Sequence, residues 1–313
     1  MNIQQIQYLL AVAENKHFEK AAEKCFVTQS TLSTMISKFE EEFEIKVFNR
    51  KKKPVELTKE GEILIEQLKL IQKELAQLKE ISNEIKGNIK GELSIAVIPT
   101  IAPFLLPHFL QSFASRFPEL KIKVREQTTE EIVRQIKSRE LDIGILSLPI
   151  NDNDLVEHAL YNEPFVYYDA SNQNTEHQKA SIKQLNLNNL CLLEEGHCMR
   201  TQIMELCDLH KKTVNNKLNF EYKAGSIDSL LRFVNANKAS TLLPHLSAID
   251  LTKKEQNFVS TFEKPIPFRS VGIVVHQHFV KFNVLNNLKS KILQSVIPLL
   301  PEQNFKGEQL SPV

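Results

Sequence analysis

Two cysteines, Cys198 and Cys207, stand nine residues apart in the stretch LLEEGHCMRTQIMELC, with histidine before the first. A thiol reacts as its thiolate, and neighbouring cations such as His197 and Arg200 favour that form. Gly196 permits a tight turn in which backbone amides face the sulfur. A second thiol nearby can capture an oxidised first one as a disulfide. The pattern therefore indicates a redox-active pair.

Two other interpretations of these cysteines stay open at this point. They could be packing residues, since a free cysteine usually behaves as a small hydrophobe. They could also bind zinc together with His197 and His210, although this spacing fits no common zinc pattern. We predict no metal and no cofactor. Cys25 and Cys191 lie in apolar stretches and are expected to be core residues with inert sulfurs.

The first sixty residues predict a helix-turn-helix followed by a basic, hairpin-like wing. Two short helices precede a third that opens at Thr28, whose hydroxyl can cap the first turn. The start of that third helix faces base edges in such motifs, where Gln can pair with adenine and hydroxyls can bond to bases or phosphates. Basic side chains beside it would neutralise phosphates. Taken singly, the hydroxyls could be caps and the lysines a solvated loop; their joint placement favours DNA binding. The predicted contact residues are Thr28, Gln29, Ser30, Thr31, Ser33, Thr34, Lys38, Arg50, Lys51, Lys52 and Lys53.

A long helix is predicted from Thr58 to Ile85. Its apolar residues recur at steps of three and four, which is typical of a helix that pairs with another helix. The alternative is that the same face packs on its own domain. The seam consists of Leu64, Leu68, Ile71, Leu75, Leu78, Ser82 and Ile85.

From Gly91 onward the pattern changes to alternating strands and helices. GELSIAVIP, KIKVREQ and LDIGILSL are predicted strands, and later strands are predicted at PFVYYDA, LCLLE, STLLP and SVGIVV. Such alternation predicts an α/β domain with largely parallel sheets. Its length of about 220 residues suits two lobes with a cleft at their junction.

Composition limits the classes of protein that this chain can be. A net charge of +1 gives no overall attraction to nucleic acid, so DNA affinity must come from a local basic patch. The N-terminal apolar run is too short for a signal peptide, and no segment has the apolar length of a membrane span. We therefore expect a cytoplasmic protein without membrane contact, in which cysteines do not form a structural disulfide scaffold.

The run AAEKCFVTQSTLSTMISKFEEEFEIKVFNR, followed by LTKEG, resembles the N-terminus of the LysR-type transcription regulators. Ser30 stands where that family usually has proline. The resemblance implies the fold class: an N-terminal all-α winged helix-turn-helix plus a long linker helix, then a C-terminal α/β two-lobed regulatory domain like the periplasmic binding proteins. The implied boundaries are 1–57 for the DNA-binding domain, 58–88 for the linker and dimerisation helix, and 89–313 for the regulatory domain. Within the last, lobe I covers about 89–162 and 268–300, and lobe II about 163–267.

The cysteine stretch resembles the hallmark of the peroxide-sensing OxyR branch of that family, GHC-x-R-x-Q with a cysteine at the same later spacing. The resemblance implies that Cys198 is oxidised by peroxide to a sulfenic acid and that Cys207 resolves it as an intramolecular disulfide. It also implies a peroxide pocket, whose residues would be Thr100, Thr129, His197, Arg200 and Gln202. Thr201 stands where the branch commonly has an acidic residue.

These resemblances imply a homodimeric or homotetrameric transcription activator, not an enzyme, that binds double-stranded DNA and responds to hydrogen peroxide. RNA polymerase would be its target, and glutaredoxin or thioredoxin its reductant. One alternative is a LysR-type regulator with a small-molecule inducer in the cleft between the lobes. Another, from a different class, is a thiol peroxidase, against which the DNA-binding region argues.

Overall fold

The computed structural model describes residues 1–171, 179–185, 187–207, 222–302 and 307–312. Its contacts divide the chain into two units, Met1–Ile85 and Lys86–Val313. Within the described residues, no helix has both the length and the apolar character needed to cross a membrane.

The first unit is a small helical domain with a two-stranded hairpin. Its elements are α1 (Ile3–Asn15), α2 (Phe18–Lys24), α3 (Gln29–Glu42), β1 (Phe48–Asn49), β2 (Glu56–Leu57) and α4 (Lys59–Ile85). β1 and β2 pair antiparallel, which makes the basic stretch a wing. The apolar faces of the four helices meet in one core around Leu9, Leu32 and Phe39. The winged helix-turn-helix predicted from the sequence is therefore confirmed.

The start of α4 is held against the residues just before β1 by a threonine and a glycine. Thr58 Oγ1 donates to Lys46 O at 2.6 Å and accepts the Gly61 amide at 2.9 Å. A Cβ at Gly61 would overlap the backbone carbonyl of Val47, so a larger residue there would push the helix off the domain. These contacts explain why the segment LTKEG has threonine at 58 and glycine at 61.

The predicted seam of α4 divides into two parts. Leu64, Leu68 and Ile71 pack against the core of their own domain. Five other large apolar side chains of the helix are exposed: Ile63, Leu70, Leu78, Ile81 and Ile85. Packing within the subunit thus accounts for the first half of the seam, and a second apolar face runs along the helix beside it.

The second unit is an α/β domain built on one large sheet. Its first half contains β3 (Gly91–Val97), α5 (Ala102–Arg116), β4 (Leu120–Glu126), α6 (Thr129–Lys137), β5 (Ile143–Leu148), β6 (Leu155–Asp169), β7 (Lys179–Ala180) and α7 (Cys198–Leu206). Its second half contains α8 (Ile227–Asn237), β8 (Ser240–Pro244), α9 (His245–Ile249), α10 (Lys253–Gln256), β9 (Val259–Phe262), β10 (Ile266–His276), α11 (Phe282–Val296) and β11 (Gly307–Gln309).

The strand order is β4-β3-β5-β10-β6-β9-β7, with β11 beside β10 and β8 beside β6. β3 pairs parallel with β4 and β5, as predicted. The prediction of largely parallel sheets is nevertheless wrong for the middle of the sheet, because β10 runs antiparallel to both β5 and β6. β6 and β10 are long enough to pass through both halves of the unit, and they must run in opposite directions to carry the chain out and back.

The unit has two hydrophobic cores, both lined by the antiparallel strands β6 and β10 or by their neighbours. The first contains Leu93, Phe109, Ile145 and Ile273, and the second contains Phe165, Ile203, Leu230 and Leu242. Two cores on one pair of continuous strands form the two-lobed architecture that the family resemblance implies.

One predicted strand, LCLLE at 190–194, is wrong. That segment makes only isolated bridges, from Leu190 to Ser240 and from Leu193 to Ala224. Leu190 and Leu193 are buried, which explains the apolar residues of this segment. Burial alone does not distinguish a strand from an irregular buried segment. The loop that results leads directly into α7.

Candidate functional site

The predicted recognition helix, α3, begins as expected. Thr28 is its N-cap, with Oγ1 accepting the amide of Thr31 at 3.2 Å. The same oxygen lies 2.9 Å from the hydroxyls of both Ser30 and Thr31. These hydroxyls start the helix without the proline usual in the family. Gln29, Thr34 and Lys38 are exposed on the same helix.

The wing is tied to the recognition helix through Arg50. Its guanidinium donates to Ser33 Oγ at 3.0 Å, to Ser37 Oγ at 3.2 Å and to Glu40 Oε2 at 3.2 Å. Glu40 is buried and also accepts the amide of Val47 at 2.8 Å. Sequence reasoning missed Glu40, whose signal is an acidic residue on the buried side of an amphipathic helix. Arg50 and Ser33 thus have partners within the domain, and contact with DNA stays a prediction for both.

The three lysines of the wing, Lys51, Lys52 and Lys53, are exposed. Lys52 makes an ion pair with Glu56 at 2.6 Å between two exposed side chains, an interaction that solvent screens strongly. The wing therefore presents positive charge to solvent beside α3, as phosphate contacts require.

Cys198 is the first residue of α7 and is 6% exposed. Its sulfur lies 3.8 Å from the hydroxyl of Ser147, a fully buried residue of β5 that sequence reasoning missed. The N-cap, His197, makes no side-chain hydrogen bond to the first turn, so the amides there point along the helix axis without a side-chain partner. Gly196 has φ of +92°, which supports the predicted tight turn.

Cys207 closes the other end of the same helix. It belongs to the second core, whereas Cys198 belongs to the first. All four cysteines are free thiols. At 1.5 Å per residue the nine-residue helix separates the two Cα atoms by about 13 Å, while a disulfide needs them within about 7 Å. The two thiols can join only if α7 unwinds.

The two predicted cations face the loop before α7. Arg200 Nη1 donates to Leu193 O at 3.0 Å, and His197 Nε2 lies 3.9 Å from Glu194 Oε1. Burial lowers the pKa of His197 below its usual value, and Glu194 offsets this only in part. This shift favours the neutral imidazole near pH 7 over the cation expected from the sequence.

Of the two predicted pocket threonines, Thr100 is buried and Thr129 is half-buried with its hydroxyl turned inward, and neither caps a helix. Thr100 follows β3 and is 2% exposed, with Oγ1 accepting from Arg269 Nη1 at 3.0 Å. Thr129 opens α6, but the cap is Thr128, and the Thr129 hydroxyl is buried without a hydrogen-bond partner among the described residues. Hydroxyls in this state can bind a small polar molecule that both donates and accepts.

Gln202, the last predicted pocket residue, faces the C-terminal tail. Its Nε2 donates to Leu310 O at 2.9 Å, and its side chain is fully buried. The tail itself pairs with β10 as β11, and the Leu310 amide donates to Phe268 O at 2.8 Å. Sequence reasoning missed this docking because it joins residues more than a hundred positions apart.

The structure also bears on the two other interpretations of the cysteines, as packing residues and as zinc ligands. Cys25 and Cys191 pack beside hydrophobic cores, and burial raises the pKa of both thiols, as expected for unreactive core residues. Zinc binding by Cys198 and Cys207 together would need the sulfurs to be adjacent, and α7 separates them. His210 lies outside the described residues.

Comparison with known proteins agrees with this architecture. Residues 3–62 match the model of the bacterial regulatory helix-turn-helix protein, lysR family, and residues 86–282 match the LysR substrate binding domain. The chain is 33% identical to the DNA-binding transcriptional dual regulator OxyR of Escherichia coli K12, covering 88% of this chain and 89% of that protein. It is 30% identical to the hydrogen peroxide-inducible genes activator of Haemophilus influenzae, covering 88% and 90%.

Solved structures give the same result. Full-length OxyR from Pseudomonas aeruginosa, in a variant form, superposes with a TM-score of 0.70 at 27% identity, covering 95% of this chain and 99% of that one. The matches to both family models, and identity above 30% along most of the chain, place it in one group. The chain belongs to the LysR family of bacterial transcription regulators, in its OxyR branch.

Proposed function

We propose that this chain is a DNA-binding transcription activator that senses hydrogen peroxide through a reversible disulfide between Cys198 and Cys207. The observation that carries the proposal is the placement of the two thiols. One lies at the N-terminus of α7 beside the buried hydroxyl of Ser147, and the other lies at the opposite end of the same helix. The names of the relatives in Escherichia coli and Haemophilus influenzae support the same activity.

The chemistry begins at the Cys198 sulfur. As the thiolate, it attacks one oxygen of hydrogen peroxide; the S–O bond forms as the O–O bond breaks, and the departing hydroxide takes up a proton to leave as water. The sulfur, oxidised by two electrons, is then a sulfenic acid. The buried hydroxyls of Ser147, Thr100 and Thr129 supply hydrogen bonds in a site from which bulk water is excluded.

The second step joins the helix ends. The Cys207 thiolate attacks the sulfenic sulfur, an S–S bond forms, and the oxygen leaves as a second water after protonation. Because the two Cα atoms start about 13 Å apart, this step requires that α7 loses its helical form. Unwinding would release packing in both cores and thereby change how regulatory domains associate. A dithiol reductant, glutaredoxin or thioredoxin, would reverse the reaction.

The remaining roles belong to the same proposal. The first unit would bind double-stranded DNA through α3 and the wing, the chain would act as a dimer or tetramer in the cytoplasm, and oxidation would alter contact with RNA polymerase. The three-part division at residues 57 and 88 stays a prediction, as do the assigned contact and pocket residues. A sensor needs one oxidation per signal, so sustained peroxide turnover with thioredoxin would instead identify a thiol peroxidase.

Mass spectrometry of the thiols tests the proposal. The reduced protein is exposed briefly to stoichiometric peroxide, quenched with N-ethylmaleimide and digested. We expect a linked peptide that joins Cys198 to Cys207, with Cys25 and Cys191 alkylated. Alkylation of Cys198 to the same extent with and without peroxide would remove the sensing role and favour a small-molecule inducer.

A further inference from the structure

A buried ion pair between Glu163 and Arg269 lies behind the predicted pocket residue Thr100, and neither partner was predicted from the sequence. Each side chain is 1% exposed, and Glu163 Oε2 accepts from Arg269 Nε at 2.9 Å and from Nη2 at 2.8 Å. Among the ion pairs of the described residues, it is the one in which both side chains are fully buried. A buried pair is often replaceable by apolar packing without loss of stability. Stability alone therefore does not account for it.

The strand register places this pair beside the reactive thiol. Arg269 and Glu163 stand opposite each other on β10 and β6. Two residues along β10, Val271 stands opposite Ser147 of β5. Side chains two apart on a strand share a face, so Arg269 lies on the same sheet face as Ser147, one step away diagonally. Ser147 is the residue whose hydroxyl contacts the Cys198 sulfur.

The remaining N–H groups of the Arg269 guanidinium donate hydrogen bonds to Thr100. Arg269 Nη1 donates to Thr100 Oγ1 and Nη2 to the Thr100 carbonyl, each at 3.0 Å. A hydroxyl carries one proton, so Oγ1, which already accepts an N–H, has that proton left to donate. No acceptor for it lies among the described residues, and the side chain is shielded from bulk water. A small molecule in the pocket is the acceptor that this arrangement suits.

Glu163 is the group that fixes this guanidinium. Its second oxygen, Oε1, accepts the amide of Leu246 at 2.9 Å, so both carboxylate oxygens have partners and the side chain cannot rotate. We propose that Glu163 is a positioning residue for peroxide reduction at Cys198: through Arg269 it holds the Thr100 hydroxyl with its proton directed at the peroxide. This inference rests on the proposed function.

The step that this geometry serves is cleavage of the O–O bond. Negative charge develops on the departing oxygen as sulfur attacks, and a fixed O–H donor stabilises it before it is protonated to water. Glu163 touches neither reactant. A misplacement of about 1 Å, caused by a change far from the reacting atoms, can slow a reaction about a hundredfold.

Glu163→Gln tests the proposal, because glutamine has the same size but no charge and one oxygen fewer to accept. In full-length protein, the rate at which peroxide oxidises Cys198 is compared with the rate at which iodoacetamide alkylates it. Alkylation needs the thiolate but no donor on a departing oxygen. We expect peroxide oxidation to slow by about tenfold to a hundredfold, with alkylation changed less than about twofold. Glu163→Asp, which keeps the charge, should recover part of the loss.

A double-mutant cycle with Thr100→Val shows whether the effect passes through that hydroxyl. Valine keeps the shape and removes the donor, so it should reproduce the selective loss, and adding Glu163→Gln should slow oxidation no further. The proposal would be overturned if the double variant lost the product of the two single-variant rate reductions. It would also be overturned if Glu163→Gln slowed oxidation by peroxide and alkylation by iodoacetamide equally. If Glu163→Gln fails to fold, the rates of peroxide oxidation and of alkylation are compared in Glu163→Asp instead, where a smaller but still selective loss of oxidation is expected. Failure of the proposed function is distinct: peroxide would then oxidise wild-type Cys198 no faster than Cys25.

Discussion

At the scale of single residues, the site combines a buried thiol with neutral hydrogen-bonding groups. Ser147 contacts the sulfur, and the hydroxyls of Thr100 and Thr129 are buried in the same unit. The charges expected beside the thiol are directed elsewhere, because Arg200 bonds to a carbonyl and burial keeps His197 neutral. Reactivity would therefore depend on placed donors more than on adjacent positive charge.

His197 provides a prediction at this scale. Its pKa is lowered, mainly by burial, so protonation is disfavoured in the folded protein and occurs only below the usual range near 6.5. We expect the rate of Cys198 oxidation at pH 7 to fall by severalfold in His197→Ala. His197→Gln, which keeps a neutral donor, should lose less. The protein should also lose stability as pH falls below about 6.5, where the unfolded imidazole binds a proton that the folded one resists.

The measurements are peroxide quench-flow for the two variants and thermal unfolding from pH 5 to 8. A glutamine variant as slow as alanine would show that a neutral donor is not what His197 supplies. An oxidation rate that rises as pH falls through 6.5 would restore the charged role.

At the scale of elements, α7 is the part that must change. Its ends hold Cys198 and Cys207, and its middle holds Gln202, which bonds to the C-terminal tail at Leu310. Unwinding the helix to form the disulfide removes the geometry of that hydrogen bond. The docking of β11 should thus depend on the oxidation state of the thiols.

Hydrogen exchange tests this dependence. The Leu310 amide, which donates to Phe268 O, should exchange slowly in the reduced protein and at least about fivefold faster after peroxide, in line with a lost hydrogen bond worth about 1 kcal/mol or more. Cys198→Ser treated with peroxide is the matched control and should keep its protection. Equal protection in both oxidation states would mean that the tail is independent of α7.

The recognition helix carries a second prediction at this scale. Gln29→Ala should relax base preference at one position by about 1–3 kcal/mol. Lys51→Ala should weaken binding to all sequences and reduce the salt slope by about one. Both are measured as affinities for specific and random duplexes over a range of salt. If Gln29→Ala reduces both affinities equally, that residue does not read bases.

These elements differ in how far the sequence predicts them. The Thr28 cap, the wing and the strands of residues 91–148 follow from local signals, such as a hydroxyl before an apolar run. Glu163, Arg269 and Ser147 could not be found in this way, because tertiary folding brings them to their partners across separations of 51 to 169 residues. The antiparallel middle of the sheet escaped prediction for the same reason, since strand direction is not a local property.

At the scale of the whole molecule, the question is how copies of the chain associate. Half of the predicted seam on α4 is already used inside its own domain, where Ile71 packs on the core. Leu78 and Ile81 lie on the exposed apolar face. Exposed apolar side chains along a helix of 27 residues are typical of a helix that pairs with another copy.

A double substitution tests this pairing. Leu78→Glu with Ile81→Glu would place repelling charges in the helix pair, so the oligomer mass from light scattering should fall while the thermal midpoint of the DNA-binding domain stays unchanged. Ile71→Glu is the contrasting control and should destabilise the domain itself. An unchanged mass for the double variant would show that this face of α4 is not the interface.

The central claim is that Cys198 is oxidised first and Cys207 second, and one experiment tests it most directly. Peroxide-dependent transcription is measured in cells that carry wild-type protein, Cys198→Ser or Cys207→Ser, with thiol trapping on the same samples. We expect no response from Cys198→Ser, since a serine hydroxyl ionises too weakly to attack peroxide. Cys207→Ser should give a weak, unstable response with a persistent sulfenic acid on Cys198. A normal peroxide response from Cys198→Ser would contradict the account.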